Sequence, residues 1–365
     1  MMNQLFRHTF HSGARATLAT FLLITAAHAL TPPAGFTAAV RHADIKLRDC
    51  TSTALPYTDV LDFPSKYEGS GSSRDTLNAR AEALYRERTA PISALERGVS
   101  EQADDYLRGG NTEALECALG LLDTWASAGG LLGPSSTHTG RSVRKWTLGS
   151  VASSYLRLKY SVSAPLRNYP EQARRIEAWM GKVADIVVQE WSNAPLEKTN
   201  NHEYWAAWAV MATANVLDRR DLFNWAMARF KVATGQIDED GYLPNELKRG
   251  TRALHYHNYA LTPLAMLAAF AKANGNAPTG QETDAINRLA DRVLAGVDSP
   301  SIFKKRTGKK QVEADLNNAA SLVWLEPYCW TFVCSDDVTQ RLENLRSLKS
   351  YRLGGNLSTI FSQVP

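Results

Sequence analysis

Ile176-Glu177-Ala178-Trp179-Met180-Gly181-Lys182-Val183-Ala184-Asp185-Ile186-Val187 places apolar side chains at 176, 179, 183 and 186/187, with polar residues between them. Steps of three and four put those side chains on one face of an α-helix. The same spacing recurs from Thr76 to Trp330 in about ten amphipathic segments, separated by breaks containing Gly, Pro or Asn. Strand-like alternation is almost absent. The pattern predicts an all-α chain whose consecutive helices pair as antiparallel hairpins. Such a series either curls into a toroid of hairpins or packs as an irregular bundle, and no fixed-period repeat decides between them. The difference matters because a toroid encloses a cleft between helix ends that admits a chain-like ligand.

The 365 residues, 44% of them hydrophobic, suffice for one large domain or two modest ones. At the N-terminus, Arg7 and Arg15 precede an apolar stretch from Ala16 to Ala27, followed by Ala27-His28-Ala29. This order predicts a secretory signal peptide over residues 1–29, cut after Ala29. The stretch is short of the roughly 20 residues that span a bilayer, and no later segment is long and apolar enough, so no membrane span is expected. Removing residues 1–29 takes away two arginines and lowers the formal charge from +4 to +2. Attraction for an anionic ligand then has to come from local patches such as Arg141-Arg144-Lys145, Lys248-Arg249-Arg252 and Arg341-Arg346-Arg352. No nucleic-acid partner is expected. Cys50, Cys117, Cys329 and Cys334 in a secreted chain predict two disulfides. Of the three pairings, the short spacing of Cys329 and Cys334 favours a local loop, with Cys50–Cys117 as the second bridge. No CxxC pair or HExxH motif points to zinc, and no GxSxG elbow, P-loop or dinucleotide fingerprint is present.

Asn200-Asn201-His202-Glu203-Tyr204-Trp205 reads as a helix start, with Asn200 as N-cap and Glu203 three residues on as its capping partner. His202 falls in the first turn. There the helix dipole disfavours a charged imidazole and welcomes a carboxylate. About fifty residues later Lys248-Arg249 precedes His255-Tyr256-His257-Asn258-Tyr259, where Tyr256 and Tyr259 share a helix face. Thr262-Pro263 marks a kink or a new helix start close after them. Ser65-Lys66 precedes a Gly/Ser stretch suited to a mobile lid, and His138-Thr139-Gly140 opens a basic, aromatic helix running through Trp146. Asp238-Glu239-Asp240 is either a solvated turn or a source of the paired carboxylates of a glycoside hydrolase.

Asn201, His202, Arg249 and Tyr256 match the needs of β-elimination in a polyuronic acid. The proton on C5 lies beside a carboxylate, which must be neutralised before it can leave. An amide, an imidazole N–H and a guanidinium supply that. Tyr256 serves as base for C5-H and acid for the departing C4 oxygen, its high pKa lowered by cationic neighbours. A binding protein with an idle cleft and a carboxylate-dependent hydrolase are the competing readings.

Asn200-Asn201-His202-x-Tyr204-Trp205-Ala206-Ala207-Trp208, Leu243-Pro244-Asn245-Glu246-Leu247-Lys248-Arg249, Tyr256-His257-Asn258-Tyr259-Ala260-Leu261 and Trp324-Leu325-Glu326-Pro327-Tyr328-Cys329 closely resemble the periplasmic mannuronate-specific alginate lyases. Ser65-Lys66-Tyr67-Glu68-Gly69-Ser70 and His138-Thr139-Gly140 resemble them too, so the likeness runs through nearly the whole mature chain. The resemblance implies an incomplete (α/α) toroid of helical hairpins forming one domain over residues 30–365. It implies cleavage of β-D-mannuronate linkages by β-elimination without metal or cofactor, leaving a 4,5-unsaturated sugar at the new non-reducing end. In it Tyr256 is base and acid, while His202, Asn201 and Arg249 neutralise the carboxylate and favour the tyrosinate. Ser65, Lys66, His138, Thr139 and Tyr256 contact substrate. The family acts in the periplasm beside the alginate export machinery, clearing stray polymer. Glu203 departs from its pattern, which has a small polar residue there, and puts the ionisation of His202 in doubt.

Overall fold

A computed structural model describes residues 29–50, 54–68, 73–312 and 319–361 of the chain. The expected signal peptide lies outside them apart from Ala29, as do Gly69–Ser72 of the expected lid stretch. The helices are α1 (Ala79–Arg88), α2 (Ala90–Gly109), α3 (Thr112–Ala128), α4 (His138–Lys159), α5 (Pro170–Trp191), α6 (Asn201–Leu217), α7 (Arg220–Gly235), α8 (Pro244–Leu247), α9 (Ala253–Ala273), α10 (Gly280–Asp298), α11 (Ser301–Thr307), α12 (Leu325–Thr331), α13 (Asp336–Leu345) and α14 (Leu357–Ile360). Among the described residues the only sheet is a ribbon pairing Lys349–Ser350 with Gly355–Asn356.

Helix α5 buries Ile176, Trp179, Val183 and Val187 and turns Arg174, Lys182 and Asp185 to solvent. It is an outer helix, wet on one side. Helices α6 and α9 instead bury nearly every side chain, because Tyr204-Trp205-Ala206-Ala207-Trp208 and Leu264 to Ala271 are apolar all round. Such helices belong inside. The inner row runs α2, α4, α6, α9, α12, each packed on the next; the chain turns back between them through outer helices α3, α5, α7 and α10, and α13 follows the last. Helices α2 and α12 end the row without substantial mutual packing, and the C-terminal ribbon lies against α2. The fold is an incomplete (α/α) toroid. One continuous apolar cluster fills it from Leu30 to Phe361. Disulfides join Cys50 to Cys117 and Cys329 to Cys334.

Pro263 is not a fresh helix start, since α9 continues through it. Proline removes the N–H that would bond the Tyr259 carbonyl. Trp205 Nε1 takes that acceptor at 3.2 Å, so the break is repaired from α6.

His257, next to Tyr256, is structural. Its Nε2 accepts the Leu243 N–H at 2.9 Å, and its Nδ1 donates to the Ala253 carbonyl at 2.7 Å. Burial, working against the Ala253 bond, pushes its pKa down from 6.5 to about 4. The folded value lies below the unfolded one, so stability is full above 6.5 and is lost as pH falls from 6.5 towards 4. The expected slope from this one group approaches about 1.4 kcal/mol per pH unit. Urea unfolding at pH 4.5, 5.5 and 6.5 should give a shallower decline for His257→Gln than for wild type; equal slopes would refute the assignment.

Candidate active site

Three inner helices present their N-termini to one cleft. Helix α4 begins at His138, capped by Thr137, whose Oγ1 accepts the Gly140 N–H at 3.0 Å. Gly140 is required there because a Cβ would collide with the Leu61 carbonyl. Helix α6 begins at Asn201 within a capping box: Asn200 Oδ1 accepts the His202 N–H at 3.0 Å, and Glu203 Oε2 accepts the Asn200 N–H at 3.0 Å. Glu203 is therefore spent on the cap and buried, which accounts for a carboxylate beside His202. Helix α9 brings Tyr256 in its first turns, with Arg249 just upstream. Three helix N-termini facing one space favour an anion in it.

The cleft holds about 330 Å³ and is lined by Ser65, Lys66, Tyr67, Arg74, His138, Thr139, Trp146, Asn201, His202, Arg249, Tyr256 and Arg352, among others. All eight residues singled out from sequence as catalytic or substrate-binding lie on its wall. No Asp or Glu lines it. Asp238-Glu239-Asp240 instead forms a turn held by Arg288 and Arg292 through the carbonyls of Asp238 and Asp240. A hydrolase would need carboxylates in the cleft, and that reading loses its source of them.

His202 is held from behind. Lys145 Nζ lies 3.0 Å and Ser142 Oγ 3.2 Å from its Nδ1. Ser142 gives its proton to the His138 carbonyl at 2.9 Å; burial pulls the Lys145 pKa well below 10.5, but as an ammonium Lys145 can only donate, which makes Nδ1 the acceptor. The ring proton therefore sits on Nε2. Burial, then the charges of Lys145 and other nearby cations, holds the imidazole pKa well below 6.5. The dipole-based expectation of a neutral ring has this larger cause. Trp191 stacks on the ring with centroids 5.8 Å apart, and His138 meets it edge-on at 4.5 Å.

Tyr256 is 7% exposed, and its hydroxyl lies 2.5 Å from that of Tyr67. The Arg249 guanidinium sits 3.5 Å from the centre of its ring. Cationic neighbours were expected to lower its pKa. The structure corrects this: burial raises it, and Arg249 offsets only part of the effect, while Tyr67 adds to the rise. Taking a phenolate out of water outweighs one nearby guanidinium. Tyr256 rests as a neutral hydroxyl.

Arg249 also grips the segment above the cleft, its Nε and Nη2 donating to the carbonyls of Ser73 and Arg74 at 2.7 and 2.8 Å. That segment returns against the Lys66 arm, through Glu68 N–H to Thr76 O at 2.8 Å and Asn78 N–H to Lys66 O at 2.9 Å. Arg252 braces it through the Asp75 carbonyl at 3.0 Å. Ser65 and Lys66 are exposed at its edge.

Residues on or behind the wall that were not singled out from sequence as catalytic or substrate-binding include Tyr67, Arg74, Glu246 and Arg352, the last named only within a basic patch with Arg341 and Arg346. Arg352 comes from the C-terminal ribbon, turned by Gly354 and Gly355 at φ 99° and 110°. Its guanidinium lies 4.8 Å from the Trp146 ring and its Nη1 3.4 Å from the Tyr259 hydroxyl. With His255 and Tyr259 it separates the cleft from a second cavity of about 620 Å³, lined also by Arg48, Arg97 and Lys349 and, opposite in charge, by Glu101 and Asp104. A chain longer than one sugar has somewhere to go.

An all-α toroid whose cleft is cationic, free of carboxylates and built around a buried tyrosine is a scaffold for an enzyme acting on an anionic chain. The alginate lyase family model matches residues 62–303. An alginate lyase of Pseudomonas syringae pv. syringae is 51% identical over 340 residues, covering 92% of this chain and 89% of the relative. One from Azotobacter vinelandii is 50% identical, covering 93% and 91%. Among solved structures, alginate lyase A1-III from Sphingomonas species A1 superposes with a TM-score of 0.70 at 23% identity, covering 90% of each chain. A histidine-to-alanine variant of A1-III complexed with a tetrasaccharide gives a TM-score of 0.73 at 23% identity, covering 88% of this chain and 89% of that one. The chain belongs to the alginate lyase family and is a polysaccharide lyase.

Proposed function

We propose that the protein is a poly(β-D-mannuronate) lyase that cleaves alginate by β-elimination. The observation that carries this is the Tyr256 hydroxyl set among Asn201, His202 and Arg249 in a cleft without carboxylates. Asn201, the Nε2–H of His202 and Arg249 neutralise the uronate carboxylate, so that C5-H can leave. The electrons of the C5–H bond form the C4–C5 double bond, and the C4–O4 pair departs with O4. Tyr256 starts protonated: it passes its proton to O4 while its oxygen receives the proton from C5, and so ends as it began. In β-D-mannuronate H5 and O4 lie on the same face of the ring, within reach of one hydroxyl. In α-L-guluronate they lie on opposite faces, and a second group would be needed. Lys66, Ser65, His138 and Thr139 hold the sugars on either side, and the cavity past Arg352 takes the continuing chain. Alginate lyase A1-III has been seen complexed with a tetrasaccharide, which supports a chain-like sugar as the ligand of this cleft.

The site of action in this reading is the periplasm, beside the machinery that exports the polymer. Two disulfides suit an oxidising compartment. Leu30 N lies 2.7 Å from Asp218 Oδ1, so cutting after Ala29 would set the new ammonium on that carboxylate.

Ultraviolet absorbance during digestion of polymannuronate, polyguluronate and acetylated polymannuronate tests the reading. Polymannuronate should yield the absorbance of the new double bond at least about tenfold faster than polyguluronate. New reducing ends without absorbance would make it a hydrolase, and binding without products a binding protein.

A further inference from the structure

Glu246 is buried to 1% exposure behind the cleft, and the elimination as described does not use it. Its Oε1 accepts two hydrogen bonds from one residue, the Asn201 backbone N–H at 2.7 Å and the Asn201 Nδ2–H at 2.8 Å. Its own carbonyl accepts the Arg249 N–H at 3.0 Å. One short helix, α8, thus ties the start of α6 to the segment carrying Arg249. The pair is not satisfied internally: Glu246 Oε2 and Asn201 Oδ1 are buried and have no hydrogen-bond partner among the described residues. A carboxyl kept only for stability would leave neither atom orphaned, since each costs desolvation free energy.

An asparagine amide has two orientations that differ by exchange of oxygen and nitrogen. Opposite a carboxylate oxygen only the one with nitrogen inward is allowed, because the other sets lone pairs against lone pairs. We propose that Glu246 is a positioning residue for the elimination: its carboxylate, by taking both Asn201 N–H groups, locks the side-chain amide with one N–H inward and the other free for the substrate carboxylate. This rests on the lyase reading above.

The lock depends on the charge of Glu246. Burial raises its carboxyl from 4.5 to about 7, against the Asn201 bonds and Arg249, with Glu203 adding to the rise. Arg249, Glu203 and, on α6, Tyr204 are the titratable groups that act on it. From α9, His257 stays neutral, with Nε2 committed to the Leu243 N–H. Above about 7 the carboxylate admits one amide orientation. Below it the protonated carboxyl can donate to Asn201 Oδ1 and admits the other. The competent orientation is therefore gained as pH rises through 7, a range in which His202 does not titrate.

The test is the pH dependence of polymannuronate cleavage between pH 5.5 and 8.5 for wild type, Glu246→Gln and Glu246→Ala. Wild-type kcat/KM should fall on the acid side of 7. Glu246→Gln keeps an acceptor carbonyl without a charge, and its profile should be flat there. Glu246→Ala should lose about 10- to 100-fold in kcat with KM changed less than about threefold, the signature of a mispositioned donor. An acid limb that persists in Glu246→Gln, or a Glu246→Ala enzyme within threefold of wild type, would overturn the proposal while leaving the lyase reading intact. A wild-type protein that gives no absorbance on any of the three polymers would overturn both.

Discussion

Tyr256→Phe is expected to lose at least about 10³-fold in kcat on polymannuronate, with KM little changed. General acid–base catalysis contributes about 10² to 10⁴ for one proton transfer, and here one oxygen handles two. Phenylalanine keeps the ring that Arg249 covers at 3.5 Å, so the cation–π contact and the packing survive. What disappears is the hydroxyl 2.5 Å from Tyr67. The neighbouring change Tyr67→Phe is the control. It removes the partner hydroxyl and leaves the reacting one, and should cost far less. Calorimetric binding of a mannuronate oligomer should be near wild type for Tyr256→Phe. If that variant retained more than a tenth of wild-type kcat, the base and acid would have to be sought elsewhere, and the cleft offers no carboxylate to replace it.

The helical architecture was legible because burial of one face leaves a mark in spacing. Ile176, Trp179 and Val183 fall on the buried side of α5, and the all-apolar run after Tyr204 marks an inner helix. The choice between toroid and bundle left no such mark. It depends on which helices neighbour one another, and α4 with α6 or α6 with α9 is a relation between segments tens of residues apart. The capping box at Asn200 and Glu203 was legible for the opposite reason, since every atom in it lies within one turn.

The cleft divides in the same way. Asn201, His202, Arg249 and Tyr256 stand out as residue types that one chemistry requires. Arg352 stood out only as one cation of a patch with Arg341 and Arg346, which pair instead with Asp298 and Glu326; its place in the cleft was hidden because it reaches Tyr259 from 93 positions away. Tyr67 sat in a quoted motif, but its hydroxyl meets a residue 189 positions on. Glu246, between Asn245 and Lys248, looks like one more solvated charge until α6 packs over it. The expectation that cations would lower the Tyr256 pKa failed likewise. Charges can be counted along a sequence, whereas desolvation is set by packing, and here it wins.

Arg249 separates charge from geometry, and two substitutions there should differ. Arg249→Ala removes the cation over Tyr256 and the donors that hold Ser73 and Arg74. It should reduce kcat/KM by about 10³-fold, the scale of losing a preorganised charge at a site of developing negative charge. Arg249→Lys restores a cation but not the planar fork: a single ammonium cannot lie over the ring, meet the substrate and grip two carbonyls together. The loss should be about 10- to 100-fold, and it should divide by role. If the ammonium still neutralises the carboxylate, kcat recovers more than KM, because the segment over the cleft has lost its clasp while the charge remains. Proteolysis gives an independent readout, since cleavage near residues 73–75 should quicken in both variants and slow again with saturating mannuronate oligomer. Equal losses in kcat/KM for alanine and lysine would assign the whole effect to the fork. A lysine variant as active as wild type would mean that charge alone is needed and that the grip on Ser73 and Arg74 is incidental.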